Sequence, residues 1–278
     1  MSSDYDIQDI KSALNTLNIQ KGDTLFCHSN IGLFGRLKGG YSRDELCRNF
    51  FNLILDKIGS SGTLILPSFT YSFPKNEIFD PACTPSKMGL FSEWLRKHPD
   101  SLRSKDPCFS VVSIGDNSKF LTSLAPENSF GVNSFFDRFY DLNGKIFNLN
   151  FNAGSTFIHY VERKLKVPYR FDKTFKGRIR LNSQFEQEVN STIWVRYLSD
   201  QNLEYDSKQF TEISIKNNLF TLSKIGRGYA GVISSKDTFN VISETIKVKP
   251  FFLTKGGAIP FFKPLIIAEN QSHKNKKI

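Results

Sequence analysis

The sequence predicts a layered α/β/α domain with a central mixed sheet, and two observations lead to this fold class. Short apolar runs bounded by turn residues alternate along the chain with segments of helical periodicity. At 278 residues the chain can also bury a sizeable core. No low-complexity linker or internal repeat divides it, so we predict a single domain over residues 1–265 and a flexible basic tail over residues 266–278.

The first half of the chain supplies two buried strands. Thr24–Ser29 and Gly62–Pro67 are apolar runs with turn residues on either side. A glycine-bearing loop follows the first strand, and a long proline-containing loop, of a length that is usually functional or disordered, follows the second. In chain order, the predicted elements are a helix at 7–19, a strand at 24–29, a helix at about 42–58, a strand at 62–67, a loop at 69–86 and a helix at 88–98.

The second half of the chain changes character after residue 170. Before that point, strands are predicted at 109–115 and 145–150, with helical pattern between them. The stretch 171–222 is rich in Thr, Phe, Ile and Tyr with alternating charges, which predicts antiparallel strands, or a subdomain, laid against the first sheet. A last strand at 232–235 leads into a helix at 236–248, with Ser235 as its N-cap.

The chain is strongly basic, with a formal net charge of +10. Nucleic acid, a membrane surface or a phosphorylated small molecule would each explain this balance. Because the Lys and Arg residues are dispersed outside the tail and no RNA-binding motif or zinc-finger spacing is present, we predict a local anion site and no nucleic-acid partner. No apolar run approaches the length of a membrane span and residues 1–6 do not resemble a secretory signal, so we expect a cytoplasmic protein.

The four cysteines, Cys27, Cys47, Cys83 and Cys108, are widely spread and lack metal-ligand spacing. We therefore expect free, mostly buried thiols and no metal. Cys27 adjoins His28 and Cys108 follows Asp106-Pro107, so a thiol nucleophile is an alternative to direct transfer, although buried thiols are usually inert.

The stretch Asn152–Glu162 is the most informative about chemistry. It has the pattern of a strand end and a glycine turn leading into a helix, which places His159 and Glu162 one turn apart. Both residues fall outside an apolar stripe formed by Phe157, Ile158, Val161 and Leu165. A Glu three residues after a His can hold or polarise the imidazole, which is what a general base needs. On spacing alone, a surface ion pair is the alternative.

Four segments of the chain together carry a family resemblance. They are Gly22–Gly35 with His28-Ser29; Gly59–Thr70; Thr84–Ser110 with Thr84-Pro85-Ser86-Lys87-Met88-Gly89 and Arg103-Ser104-Lys105-Asp106-Pro107; and the helix Ser155–Glu162. In this order and spacing they resemble the aminoglycoside 3-N-acetyltransferase family, whose members depend on coenzyme A. Gly226-Arg227-Gly228 and the final helix are similar to the family's closing segment. The resemblance covers most of the chain and implies a fold unlike that of the common N-acetyltransferase superfamily.

The resemblance implies a catalytic pair. The family's reaction moves an acetyl group from a thioester to an amine, so a base must take the amine's proton and donors must stabilise the oxyanion. The resemblance implies His159 as that base and Glu162 as the residue that orients it or supports its positive charge; a structural histidine is the alternative. We expect direct transfer, with acetyl-CoA or another acyl-CoA as co-substrate.

Coenzyme contacts are expected at two places. His28-Ser29 lies at the carboxyl end of the first strand, and the loop after it can present backbone N–H groups to pantetheine or pyrophosphate. Ser86–Gly89 opens a helix and predicts a phosphate site with one cation. The expected contacts are His28, Ser29, Asn30, Phe34, Gly35, Ser86, Lys87, Met88, Gly89 and Ser110. A core histidine and a plain helix cap with a solvated lysine are the respective alternatives.

One position departs from the family pattern. Many members have Arg-Ser-x-His-Pro where this chain has Arg103-Ser104-Lys105-Asp106-Pro107. Asp106 is therefore either a candidate catalytic residue that accepts a hydrogen bond from an ammonium or a sugar hydroxyl, or an Asp that begins a turn before Pro107. The expected acceptor contacts are Phe69, Tyr71, Tyr169 and Arg170. Tyr169 offers a stacking face and Arg170 a phosphate clamp, with a structural strand start as the alternative.

The charge of the chain suggests an acceptor. Aminoglycosides are polycations, which a chain at +10 with Arg170 and Lys173 near the acceptor side fits poorly. Our first hypothesis is therefore an N-acyltransferase for an amino sugar, nucleotide-linked or on a phosphorylated lipid, in surface polysaccharide synthesis. The alternatives are aminoglycoside acetylation giving antibiotic resistance, and a non-catalytic relative that binds an acidic partner. The sequence does not specify the oligomeric state, and a homodimer is left open.

Overall fold

The computed structural model describes residues 3–123, 125–182, 185–198 and 201–256, and these residues form three α/β/α layers. The α-helices of the described residues are α1 (Ile7–Thr16), α2 (Arg43–Ile58), α3 (Leu90–Arg96), α4 (Ser118–Thr122), α5 (Phe135–Asp141), α6 (Phe157–Lys164), α7 (Lys208–Lys216) and α8 (Ser235–Val248). The strands are β1 (Thr24–Ser29), β2 (Thr63–Pro67), β3 (Leu102–Arg103), β4 (Val111–Gly115), β5 (Lys145–Leu149), β6 (Arg170–Asn182), β7 (Phe185–Arg196), β8 (Thr221–Ile225) and β9 (Gly228–Ser234). None of these helices is long and apolar enough to cross a membrane.

Within the described residues, seven strands form one mixed sheet in the order β3-β4-β2-β1-β5-β9-β8, which confirms the predicted fold class. β1 pairs in parallel with both β2 and β5, whereas β4 and β9 pair antiparallel with those two strands. Because β1, β2 and β5 run in the same direction, their carboxyl ends meet at one edge. We call the ends of these three strands, at Ser29, Pro67 and Leu149, the carboxyl edge.

Side chains of β1 alternate between the two faces of the sheet. Leu25 and Cys27 pack into the apolar cluster that includes α1 and α2. Phe26 points to the other face and meets Phe135 of α5 edge to face at 5.0 Å. His28 lies on the same face as Phe26, with ring centroids 4.6 Å apart. The alternation therefore directs His28 towards the layer that contains α5 and α6.

Residues 171–222 differ from the prediction in their second half. β6 and β7 form the expected antiparallel ribbon, but α7 follows where further strands were expected. Phe210 and Ser214 are fully buried and one helical turn apart, a spacing that the β-rich composition obscured. The N-cap of α8 is Ser234, whose Oγ accepts the Asp237 N–H at 2.9 Å, and not Ser235 as predicted. The predicted tail at 266–278 lies outside the described residues.

Candidate active site

The predicted pair of His159 and Glu162 meets on α6. His159 Nδ1 lies 2.7 Å from Glu162 Oε2. Glu162 is fully buried even though it lies outside the apolar stripe, whereas 20% of the His159 side chain is exposed. An ionised carboxylate can only accept, so Nδ1 carries the proton and Nε2 keeps its lone pair. In the part of the chain that the structure describes, Nε2 makes no hydrogen bond.

Two neighbouring residues hold Glu162. The Tyr169 hydroxyl donates to Glu162 Oε1 at 2.9 Å, and Arg170 Nε lies 2.8 Å from Oε2. The Arg170 contact is an ion pair without good hydrogen-bond alignment. Tyr169 and Arg170 are only 1% and 8% exposed, so they form the back of the site. The predicted contact with the acceptor is not supported, because the Tyr169 hydroxyl and Arg170 Nε face Glu162 and Arg170 Nη1 donates to the Trp194 carbonyl at 3.4 Å.

The surroundings favour a neutral His159 beside an ionised Glu162. Burial and the Arg170 charge lower the pKa of His159, and these effects outweigh the opposing effect of Glu162. Burial raises the pKa of Glu162, but Arg170 and His159 outweigh it, and the net pKa is lowered. At neutral pH the imidazole is therefore unprotonated at Nε2, which is the form a general base requires.

Aromatic rings surround His159. Phe130 and Tyr205 meet its imidazole edge to face, with centroids 5.9 and 5.5 Å away. The buried Tyr205 hydroxyl lies near the Ser207 side chain and the Ser155 backbone. The sequence analysis missed Phe130 and Tyr205, because they are far from His159 in the chain and no local pattern marks them. The high phenylalanine content was only a general sign of such packing.

His28 lies at the carboxyl edge and contacts the residue that precedes α6. Its Nε2 is 2.7 Å from Ser155 Oγ, which also accepts the Phe157 N–H at 3.2 Å. Burial lowers the pKa of His28 to about 4, so its imidazole is neutral. The ring of Phe151, which is 47% exposed, meets His28 edge to face at 6.4 Å. The structure thus places His28 beside the start of α6, in contact with Ser155, a residue that was not among the predicted contacts.

The loop at 30–35 does not provide the predicted anion cradle. The Asn30 N–H already donates to a β5 carbonyl at 2.9 Å. The Asp4 carboxylate lies against Gly35 and accepts the Arg36 N–H at 2.7 Å. Phe34 is fully buried in the core. Because the Asn30 N–H is already paired, Phe34 is buried and Asp4 lies against Gly35, the predicted coenzyme contacts of Asn30, Phe34 and Gly35 are not supported.

The segment Ser86–Gly89 is likewise satisfied from within the protein. Glu93 Oε2 accepts the Ser86 N–H at 2.8 Å, the Lys87 N–H donates to a backbone carbonyl at 3.0 Å, and the Met88 N–H donates to Ser86 Oγ at 3.2 Å. The Arg96 side chain and the Ser86 N–H hold the pKa of Glu93 at about 2, so Glu93 is ionised. The N–H groups of Ser86, Lys87 and Met88 are therefore paired within the protein, which does not support the predicted phosphate site at Ser86, Lys87, Met88 and Gly89.

Asp106 forms a turn, as its structural alternative predicted. It is 5% exposed, and its Oδ1 accepts the N–H groups of Cys108 and Phe109, both at 2.8 Å. Burial raises the pKa of its carboxyl. In the described part of the chain it makes no hydrogen bond or ion pair with His159 or Glu162. A catalytic role for Asp106 is not supported.

The remaining predicted contacts, Ser110, Phe69 and Tyr71, differ in how far their side chains are buried. Ser110 is fully buried and donates to the Ser68 carbonyl at 2.6 Å, so it has no surface for a coenzyme. Phe69 is 2% exposed and packs on Phe109. Tyr71 is half-buried and meets Phe109 edge to face at 5.3 Å. Through Phe109 and Phe130 these rings form a continuous aromatic wall up to His159.

The thiols are not suited to nucleophilic catalysis. Cys27 and Cys108 are fully buried, and burial raises the pKa of both, that of Cys108 to about 12. Direct transfer therefore remains the simpler route. Among the described residues there is no group of acidic, histidine and cysteine side chains that could hold a metal ion.

Comparison with known proteins relates most of the chain to one family. The model of the aminoglycoside 3-N-acetyltransferase family matches residues 26–247. Aminoglycoside N(3)-acetyltransferase III of Salmonella is 26% identical over 179 residues, which span 57% of this chain and 60% of that protein. The protein of the same name from Serratia marcescens is 24% identical over 203 residues, or 63% of this chain and 72% of that protein. The chain thus spans less than two thirds of the Salmonella relative.

Solved structures share the fold. Aminoglycoside acetyltransferase AAC(3)-Xa superposes with a TM-score of 0.74 at 18% identity, covering 87% of this chain and 92% of that chain. AAC-IIIb in its binary complex with CoASH gives 0.72 at 17% identity, covering 87% and 96%. AAC-VIa bound to sisomicin gives 0.74 at 18% identity, covering 88% and 98%. At these identities the likeness establishes the fold alone.

Proposed function

The chain belongs to the aminoglycoside 3-N-acetyltransferase family, and from this premise we propose that it transfers an acetyl group from acetyl-CoA to an amine of an aminoglycoside. The observation that carries the proposal is the pairing of the partly exposed His159 with the buried Glu162 at 2.7 Å. The relatives' names support this acceptor, and related structures contain CoASH and sisomicin. At the coarser level, the chain is an acyl-CoA-dependent N-acyltransferase.

The geometry suits proton removal from an amine. An aminoglycoside amine is protonated in water, and only its neutral form is nucleophilic. His159 Nε2 accepts that proton, and the charge that develops on the imidazole is stabilised by Glu162 through Nδ1. Acetyl-CoA supplies the acyl group as an activated thioester. As the C–N bond forms and the C–S bond breaks, the nitrogen loses a second proton. One of the two protons passes from His159 to the leaving sulfur, and the other is released to solvent.

The carboxyl edge has groups that fit the amide-rich arm of coenzyme A. Two buried polar atoms there lack hydrogen-bond partners within the described residues: Asn148 Oδ1, on the face of His28, and Ser29 Oγ, which the alternation of β1 places on the other face. Leaving buried polar atoms unpaired costs about 1–3 kcal/mol each, so a ligand that pairs with them gains affinity. Ser29 thus keeps its predicted contact role as part of this proposal.

The structure weakens the local argument for a nucleotide-linked acceptor. Beside the net charge of +10, that hypothesis relied on Arg170 and Lys173 near the acceptor, whereas Arg170 is buried against Glu162. Lys173 is exposed, but its ammonium lies over the Phe175 ring at 5.1 Å. The relatives and solved structures named above point to aminoglycosides instead. No observation favours the non-catalytic reading, because the departure at Asp106 leaves the His159–Glu162 pair intact.

Calorimetry with acetyl-CoA, on the wild type and on His159→Ala, tests the proposal together with turnover of sisomicin. We expect both proteins to bind the coenzyme and the variant to lose about 10²–10⁴ in kcat, the usual contribution of a general base. A UDP-linked amino sugar serves as the competing acceptor. Turnover of that sugar but not of sisomicin would contradict the acceptor, and absence of coenzyme binding by the wild type would contradict the enzyme class.

A further inference from the structure

His28 and Ser155 form a second hydrogen-bonded pair, at the carboxyl edge. The proton transfer described above does not use this pair. His28 Nε2 and Ser155 Oγ are 2.7 Å apart. Ser155 is 7% exposed and immediately precedes the turn that leads to His159, whose N–H bonds to the Thr156 carbonyl at 3.0 Å. Ser155, the partner of His28, therefore lies four residues before His159 in the chain.

The pair can be arranged in two ways. If His28 carries its proton on Nδ1, its Nε2 accepts the Ser155 hydroxyl and Ser155 resembles an activated nucleophile. If His28 carries its proton on Nε2, Ser155 Oγ accepts from both His28 and the Phe157 N–H at 3.2 Å. The Ser155 hydroxyl proton is then free to be donated to a ligand.

The environment of His28 disfavours the nucleophilic arrangement. Activating Ser155 requires His28 to take a full proton, yet burial lowers the pKa of His28 to about 4. None of the ion pairs within the described residues includes His28, and its ring neighbours are Phe26 and Phe151. An imidazolium at this position would have no carboxylate to stabilise it, in contrast to His159. The pair is therefore better suited to remain neutral throughout the reaction.

We propose that Ser155 donates its hydroxyl hydrogen bond to the carbonyl oxygen of the thioester, and that His28 is the positioning residue that orients Ser155. The inference rests on the proposed acetyl-CoA chemistry. Two donors to Ser155 Oγ polarise the hydroxyl and direct its proton away from His28 and from the helix. Ser155 then stabilises the negative charge that develops on the carbonyl oxygen while His159 takes the amine proton, and no covalent bond to Ser155 forms.

The test is carbon-13 NMR with acetonyl-CoA, an unreactive ketone in place of the thioester, labelled at its carbonyl carbon. A hydrogen bond from Ser155 moves the carbonyl resonance downfield on binding. We expect that shift in the wild type and in Ser155→Thr, which keeps the hydroxyl, and its loss in Ser155→Ala. Ser113→Ala is the matched control. Ser113 lies on β4, and its fully buried hydroxyl is 2.8 Å from Ser118 Oγ.

Kinetics provide the second readout. Ser155→Ala should lower kcat by about 10²–10³, as for loss of one oxyanion donor, with acetyl-CoA affinity and the KM for sisomicin unchanged. An unchanged NMR shift in Ser155→Ala, or an acetyl group on Ser155 in mass spectra of quenched enzyme, would overturn the inference. So would equal losses of affinity and rate. If the wild type does not bind acetonyl-CoA at all, the proposed function fails first, and this inference fails with it.

Discussion

Two histidines lie at the same edge of the sheet, but their partners differ in charge. His159 pairs with Glu162, a fully buried carboxylate that is also held by Tyr169 and Arg170. His28 pairs with Ser155, a neutral hydroxyl, and makes no ion pair in the described ranges. Burial lowers the pKa of both imidazoles. The difference teaches that the partner, more than burial, decides which histidine can accept a proton and keep it during a reaction.

The strongest test of this comparison is removal of Glu162, the charged partner of His159. Glu162→Ala leaves Arg170 as a buried cation without a counter-charge, which should lower the free energy of unfolding by about 3–5 kcal/mol. The rate should also fall by about 10²–10⁴, since the imidazolium of His159 loses its support. Ser155→Ala removes two neutral hydrogen bonds and no charge, and should cost less, about 1–3 kcal/mol in a denaturant titration.

A double variant separates the two effects of Glu162. Glu162→Leu with Arg170→Met removes both charges together, so stability should recover relative to Glu162→Ala while the rate stays low. Recovery of the rate as well would mean that Glu162 serves only to neutralise Arg170. The comparison of the two histidines would then lose its basis.

Much of this site could be predicted from the sequence, because it depends on local geometry. The order of strands and helices, the start of α6 and the one-turn spacing of His159 and Glu162 follow from periodicities that act within a few residues. The roles of Tyr169 and Arg170 could not be predicted in the same way. Lys166 adopts a left-handed φ of 52°, and the chain then turns back so that both side chains meet Glu162.

The predicted coenzyme loops show the same limit. Glycines and a helix start predicted backbone N–H groups available to a ligand. They could not show that Asp4, distant in the chain, lies against Gly35, or that Glu93, only seven residues after Ser86, accepts the Ser86 N–H. Whether an N–H group is free for a ligand depends on the tertiary fold, and local sequence does not record it.

The second-largest expected effect concerns His28 and the pH dependence of the free energy of unfolding. Unfolded His28 takes up a proton below about pH 6.5, whereas folded His28 remains neutral down to about pH 4. In that window the unfolded state binds more protons, so the free energy of unfolding falls as the pH decreases, by up to about 3 kcal/mol. His28→Gln should show a smaller decrease between pH 7 and 4 in chemical denaturation.

His159 contributes in the same direction, since its pKa is also lowered, but it is present in both proteins and cancels in the difference. Identical pH dependence for the wild type and His28→Gln would mean that His28 is protonated in the folded state. The argument that Ser155 is a donor and not a nucleophile would then fail.

Tyr169→Phe tests how much the hydrogen bond from Tyr169 to the Glu162 carboxylate contributes to stability and to the rate. Its hydroxyl donates to Glu162 Oε1 at 2.9 Å inside the protein, and a hydrogen bond to a charged group contributes about 1.5–3 kcal/mol. Tyr169→Phe should lower stability by about 2 kcal/mol, measured by denaturant titration, and leave kcat within about tenfold of the wild type because His159 keeps its contact with Glu162. Tyr160→Phe, which removes a hydroxyl bonded to Asp137 at 2.8 Å, is the matched control. A loss of kcat as large as that of His159→Ala would place Tyr169 in the proton transfer itself.

The smallest expected effect is a shift of the pH–rate profile. It bears most directly on the difference between Glu162, the partner of His159, and Ser155, the partner of His28. The reaction needs neutral His159, so kcat/KM should rise with pH up to a midpoint below about 6.5, because the pKa of His159 is lowered by burial and by Arg170. Arg170→Met removes the cation and should move the midpoint upward. Arg163→Met, which breaks the neighbouring pair with Asp172, should leave it unchanged. A downward shift in Arg170→Met would mean that Glu162 is no longer ionised without Arg170, and that the guanidinium, and not the carboxylate, is what distinguishes the site of His159 from that of His28.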